Sequence, residues 1–219
     1  MTSVGDGRGK ATSPRLDAAF VGRWLRGCAA DVARDRDFLT QLDAAIGDAD
    51  HGVNMDRGFA AVLSVVDAGD GSLPGELLVQ TGATIVLRVG GAAGPLYGSA
   101  FREAGRSLGD RRTFGLPELR ESLELAMGAI TKLGAAEEGD KTIVDAWAPA
   151  LRALRRGRSS LHLALRDARI AAEAGAAATT PMEARKGRAS YLGPRSVGHQ
   201  DPGATSTALL FAALERAAR

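Results

Sequence analysis

Residues 42–54 of this 219-residue chain read LDAAIGDADHGVN. The sequence on either side of that string decides the fold. Behind it, Phe38, Leu39, Leu42 and Ile46 recur at near-helical spacing; ahead of it, Phe59, Val62, Leu63 and Val66 do the same. Such spacing lays apolar side chains along one face of a helix, whereas a half-buried strand would alternate. Gly47 punctuates the two runs. The string is therefore predicted to be a helix end, a short loop and a helix start. It also crowds Asp43, Asp48 and Asp50 together, with His51 and Gly52 directly behind. Each carboxylate raises the cost of ionising its neighbours. Something positive has to stand between them, or they have to point apart into water.

The helical period extends outward from there. A first helix starting near Pro14 carries Phe20, Trp24, Leu25 and Cys28 on one face. Residues 77–89 make a fourth. GGAAGP then breaks the chain, and Pro95 suits the first turn of a fifth helix running to about Leu108. Pro117 opens a sixth, lined by Leu119, Leu123, Met127 and Ile130. Asp140 is placed to cap a seventh, with Ile143, Val144, Trp147 and Leu151 inward and Pro149 at a kink or bend. Residues 161–178 form a long Ala-rich eighth. Asp201-Pro202-Gly203 reads as an Asp cap with Pro in the first helical position, opening a last helix. The expected fold class is all-α. Aromatics at 5% and an apolar set dominated by Ala and Leu favour helix over sheet in the same way. Residues 182–206, MEARKGRASYLGPRSVGHQDPGATS, show no clear helical period. A loop that long in a compact domain is functional or disordered, and its Tyr191, Leu192, His199 and basic side chains argue against disorder. Residues 1–14 read as a disordered tail and 15–219 as a single helical domain.

The formal net charge of +2 is too small to point to nucleic acid, although the pI is near 9.0. Only four of the 28 basic residues are Lys, which reads as a coding bias toward Arg rather than a phosphate-binding code. Cys28 is the single cysteine, so no internal disulfide can form and a reducing compartment fits. No apolar run reaches the roughly 18 residues a membrane span needs, and the first residues lack the apolar core of a signal peptide. A cytoplasmic protein that engages neither membrane nor nucleic acid is expected.

Three strings carry chemistry. Asp48 and Asp50, two residues apart in a loop, can converge on one point. Asp43 lies about 7–8 Å back along a helix, within reach of the same point. Hard carboxylate oxygens so spaced suit Mg²⁺, which takes one or two carboxylates plus substrate phosphates. A divalent ion would remove the repulsion; a solvated turn is the bland alternative. An EF-hand reading of DADHGVNMDRGF fails, because its glycine falls one place early and no Glu closes the loop. VGGAAGP, residues 89–95, exposes backbone N–H groups ahead of a helix, a weak phosphate-cradle signal. GAAEEGDKT, residues 134–142, is one residue away from a Walker A string, lacks a preceding strand and carries Glu137 and Glu138; it reads as a false P-loop. The long loop adds Arg185, Lys186, Arg188, Arg195 and His199, and Arg188 could neutralise a developing phosphoryl charge. Together these make the outfit of a magnesium–nucleotide site on a helical scaffold.

LDAAIGDADHGVNM, GGAAGPLYG, GDKTIVDAWAPA and ARKGRASYLGPRSVGHQDPGATS together resemble the ADP-binding L subunits of dihydroxyacetone kinases, over residues 15–219. The resemblance implies an eight-helix antiparallel barrel with the nucleotide in the loops at one end. It implies that Asp43, Asp48 and Asp50 hold two Mg²⁺ ions, and that His51, Gly52, Val53 and Asn54 contact ADP or ATP at a helix start. Ala92 and Ala93 would lie over the phosphates, with Gly134, Ile143, Arg188, Asp201, Pro202 and Gly203 completing the site. Arg188 would act catalytically on the transferring group. The family commonly has Ser in place of Ala93, so one hydroxyl–phosphate hydrogen bond, worth about 1 kcal/mol, is absent here. The implied partners are a K subunit carrying dihydroxyacetone and a phosphohistidine donor protein of the phosphotransferase system, favoured because the chain holds the L part alone. Two rival readings are a kinase subunit for another short keto-sugar such as a tetrulose, and an ADP-loaded module that binds a transcription regulator.

Overall fold

The computed structural model describes residues 15–69, 71–156 and 160–219; the tail expected to be disordered over residues 1–14 lies outside them. The described residues form nine α-helices: α1 Ala18–Arg34, α2 Arg36–Ile46, α3 His51–Ala68, α4 Pro74–Arg88, α5 Ala93–Leu108, α6 Leu116–Gly134, α7 Val144–Arg155, α8 Leu161–Ala178 and α9 Pro202–Ala217. A 3₁₀ segment, Arg188–Ser196, lies within the long loop before α9. Among the described residues no strand forms, and the only β pairing is an isolated antiparallel bridge between Leu16 and Phe114. The all-α expectation holds.

Local chemistry sets the helix ends. The Asp17 side chain accepts from the Phe20 N–H, so α1 starts at Ala18 rather than near Pro14, and the chain before it is extended against Phe114. Asp201 caps α9 by accepting from the Ala204 N–H at 2.6 Å, with Pro202 next, as expected. Ser160 caps α8. Asp140 does not cap α7. Its carboxylate accepts from the Glu137 N–H inside a tight turn, while Asp145, in the first turn of α7, reaches back to the N–H groups of Gly139 and Thr142. α7 runs as one helix through Pro149.

Buried apolar side chains from all the helices but α2, from Leu16 to Ala217, belong to one continuous core. Phe20, Trp24, Leu25 and Cys28 are all buried there, but Phe38 is 49% exposed, so the expected apolar face of α2 holds only in part. α1 packs on α3 and α9, and chain-adjacent helices pack on one another from α3 through α9; α2 lies outside that circuit, against α3. The α4 and α5 backbones approach closely at several glycines. A Cβ on Gly82 would stand 2.5 Å from the Gly98 carbonyl, and one on Gly75 2.7 Å from the Gly105 carbonyl. Glycine at these places lets the two backbones touch, which fixes the loop that joins the helices.

Candidate functional site

One cleft of about 260 Å³ collects most of the residues singled out from the sequence. His51, Ala93, Ile143 and Pro202, at the starts of α3, α5, α7 and α9, all line it. So do Ile46, Gly90 and Gly134, at or just past the ends of α2, α4 and α6. Four helix N-termini thus face one space. Their dipoles make it attractive to anions.

The carboxylates converge as expected. Asp43, Asp48 and Asp50 each offer one oxygen, and these lie within 4.8 Å of one another. Asp43 is buried at the end of α2, and its Oδ2 accepts from the N–H groups of Asp50 at 2.8 Å and His51 at 3.1 Å. Asp43 therefore covers the start of α3, where Asp50 itself makes no side-chain cap. Two backbone features shape this turn. A Cβ on Gly47 would collide with Asp43 Oδ1, so only glycine leaves that carboxylate its place. Ala49, between the two loop aspartates, has φ of 61°, a left-handed conformation that costs a non-glycine residue about 1 kcal/mol or more. Arg188 Nη2 pairs with Asp48 Oδ2 at 3.1 Å, although the guanidinium is mostly exposed.

Behind the carboxylates lies a polar network. His51 Nε2 and Ser206 Oγ are 2.9 Å apart, and burial pushes the imidazole pKa down against the raising effect of Asp43 and Asp50. Ser206 in turn meets the Tyr97 hydroxyl at 2.8 Å, and that hydroxyl also bonds Thr207 and the Gly203 carbonyl. The start of α3 is thereby tied to α5 and α9. Asp201 is buried beside the same space, and burial, with Asp145 and Asp43 adding to it, raises its pKa to about 7.

Gly90, Gly91, Ala92 and Ala93 form the next wall. Gly91 takes a φ of 63° that glycine adopts without strain, and a Cβ on Gly94 would collide with the Val89 carbonyl. The loop's amides can therefore approach a ligand closely. Gly134, Ala136, Lys141, Thr142 and Ile143 form another wall, and Lys186, Gly187, Arg188 and Ala189 a third.

Of the residues expected from the sequence, Asp43, Asp48, Asp50, His51, Ala92, Ala93, Gly134, Ile143, Arg188, Asp201, Pro202 and Gly203 line the cleft. Gly52, Val53 and Asn54 do not. A Cβ on Gly52 would strike the Arg36 carbonyl, so this glycine seats α3 against α2. Val53 is 49% exposed. Asn54 lies under the glycine loop, close to Gly90, and accepts from Arg57, whose Nε holds the Arg88 carbonyl at the end of α4. Arg195 and His199 are exposed and off the cleft wall. The sequence reading missed Ile46 and Ile130, whose helical spacing marked them only as core, and it missed Leu96 and Lys141. Lys141 is 1% exposed and its φ is 63°. Dismissing GAAEEGDKT as a P-loop was sound, but the one buried lysine in it went with it.

The family model described as the DAK2 domain matches residues 45–216. The ADP-binding subunit DhaL of the PEP-dependent dihydroxyacetone kinase of Escherichia coli K12 is 43% identical over 207 residues, which cover 93% of this chain and 99% of that one. The ADP-binding subunit DhaL of the PTS-dependent dihydroxyacetone kinase of Lactococcus lactis is 37% identical, over 87% of this chain and 93% of its own. Among solved structures, the dihydroxyacetone kinase of C. freundii in complex with AMP-PNP and Mg²⁺ superposes with a TM-score of 0.70 at 26% identity. The match covers 99% of this chain and 37% of that larger one.

Proposed function

The chain belongs to the DAK2 domain family, and from that premise we propose that it is the nucleotide-binding, phosphoryl-transferring subunit of a dihydroxyacetone kinase. The observation that carries the reading is the convergence of three carboxylate oxygens, within 4.8 Å, at a cleft faced by four helix N-termini. Carboxylates alone would repel a nucleotide, and helix N-termini alone would leave the carboxylates unexplained. A magnesium–nucleotide pair satisfies both. The packing circuit of α1 with α3 to α9 supports an eight-helix barrel, with ADP or ATP in the loops at the end where α3, α5, α7 and α9 begin. Residues 15–219 act as one domain in this reading.

The donor set fits Mg²⁺: all oxygen, short in reach, with room left for phosphate and water. Asp43, Asp48 and Asp50 would hold two such ions, which would supply positive charge to offset that of the phosphates. The amides of Ala92 and Ala93 cradle phosphate, and the start of α9 at Asp201, Pro202 and Gly203 closes the site. Gly134 and Ile143 give the base an apolar wall beside Leu96 and Ile130. Arg188 faces the transferring group and offsets charge that develops there. In this reading the acceptor hydroxyl belongs to dihydroxyacetone held on a separate K subunit. The Escherichia coli and Lactococcus lactis relatives, covered almost end to end and named PEP- and PTS-dependent, favour a phosphohistidine protein as donor, with ADP held and recharged rather than exchanged.

The test is to purify the protein without added nucleotide, denature it, and measure ADP and magnesium in the supernatant. About one ADP with two Mg²⁺ per chain after extensive washing is the expected result. A protein that comes out empty, and binds neither MgADP nor MgATP in titration, would sink the reading.

A further inference from the structure

GAAEEGDKT contains a lysine whose job no other part of the site explains. Lys141 is among the largest fully buried side chains of the protein. In a glycine-rich string a lysine is ordinarily a phosphate ligand. Here its Nζ donates to two main-chain carbonyls, Met182 at 3.0 Å and Ser196 at 2.6 Å. Those two carbonyls bracket the stretch that carries Lys186, Gly187 and Arg188. Other bonds close the same loop: the Arg185 N–H donates to the Asp140 carbonyl, the Ala184 N–H to Ser196 Oγ, and the Gly198 N–H to the Thr180 carbonyl. None of them joins residues 182 and 196 to a common point except the ammonium. Burial lowers the lysine's pKa while the nearby Asp201 carboxylate raises it. The left-handed backbone at Lys141 is a strain that the rest of the fold has to maintain.

We infer that Lys141 is a positioning residue for phosphoryl transfer: its ammonium pins both ends of residues 182–196 and so sets where the Arg188 guanidinium stands over the cleft. It acts through the loop backbone, since its Nζ donates to those two carbonyls. Arg188 is then held from two directions, by its own backbone through Lys141 and by its guanidinium through Asp48. A misplacement of about 1 Å in a group that meets the transferring phosphoryl costs about a hundredfold in rate. The inference rests on the phosphoryl-transfer reading of the cleft.

The test compares Lys141→Met, Arg188→Ala and the double variant. Three quantities are measured: single-turnover transfer from MgATP to dihydroxyacetone on its K subunit, MgADP affinity by calorimetry, and hydrogen exchange by peptide. For Lys141→Met, transfer should slow about a hundredfold. MgADP affinity should change less than threefold, and exchange should rise in residues 182–196 while the helices stay protected. In the Arg188→Ala background the lysine substitution should have no further effect on rate. Equal loss of MgADP affinity and rate, or additive losses in the double variant, would overturn the positioning role. Wild-type transfer by Lys141→Met with slow Arg188→Ala removes the lysine assignment alone. Wild-type transfer by Arg188→Ala removes the reading of the cleft beneath it. If the methionine variant does not fold, Lys141→Gln, which keeps a donor for one carbonyl, enters the same comparison.

Discussion

Asp48 shows how much a single side chain in this protein is asked to do. One of its oxygens meets Arg188 at 3.1 Å, and the residue still contributes to the three-carboxylate cluster. Asp48→Asn should leave the helical circular dichroism unchanged and lower magnesium-dependent transfer by about a hundredfold or more, because the proposed metal ligand and a partner of Arg188 are lost together. Normal turnover with saturating K subunit would refute the metal assignment. Ala93 is the converse case, a position where a group is missing. It stands in the first turn of α5, on the cleft wall. Ala93→Ser adds a hydroxyl there, and calorimetry should show MgADP binding tightened several-fold, about 1 kcal/mol for one hydrogen bond. No gain would mean that the backbone amides already satisfy the phosphate. At this scale the sequence was informative wherever charge or conformational freedom was unusual. The three aspartates, the glycine pair and Arg188 could all be picked out. Lys141 could not, because burial is not a property of a residue type.

Helices in this chain are held by two kinds of glycine, and they answer oppositely to the same substitution. Gly82 lies where α4 meets α5, and an added Cβ would stand 2.5 Å from the Gly98 carbonyl and 2.8 Å from the Arg102 nitrogen. Gly82→Ala gains helix propensity but has to push two backbones apart, a cost of about 1–3 kcal/mol that outweighs the gain. Gly128 lies within α6 with open space where a Cβ would go. Gly128→Ala should stabilise by up to about 1 kcal/mol. Thermal unfolding should therefore show the first variant lowered and the second raised, by about 2–4 °C per kcal/mol for a protein of this size. Matching shifts would show that the close approach of α4 and α5 does not matter. Both glycines look alike in sequence, inside helical runs. Their difference is a contact between residues far apart in the chain.

For the molecule as a whole, the cleft is a place where burial opposes ionisation. Asp201 has its pKa raised to about 7 by burial. In the metal-free protein the folded state then holds a proton that the unfolded chain releases at about pH 4. The folded state binds more protons across that interval, so this contribution to stability is complete below about pH 4 and is lost as pH rises through 7. Denaturant midpoints measured in chelator should show Asp201→Asn, which keeps an acceptor for the Ala204 N–H, with a flatter profile between pH 4 and 7 than the parent. Identical profiles would refute the assignment. The sequence alone determined the all-helical class, most helix ends and the identity of the acidic and glycine-rich strings, because helix period, capping and turn chemistry act over four or five residues. It could not decide where the loops meet. That four helix starts face one cleft, that Gly52 and Asn54 support it from behind, and that a buried lysine ties the loop bearing Arg188, are consequences of one core closing over residues 16–217. They depend on contacts between residues 16 to 155 positions apart, and only tertiary packing sets those.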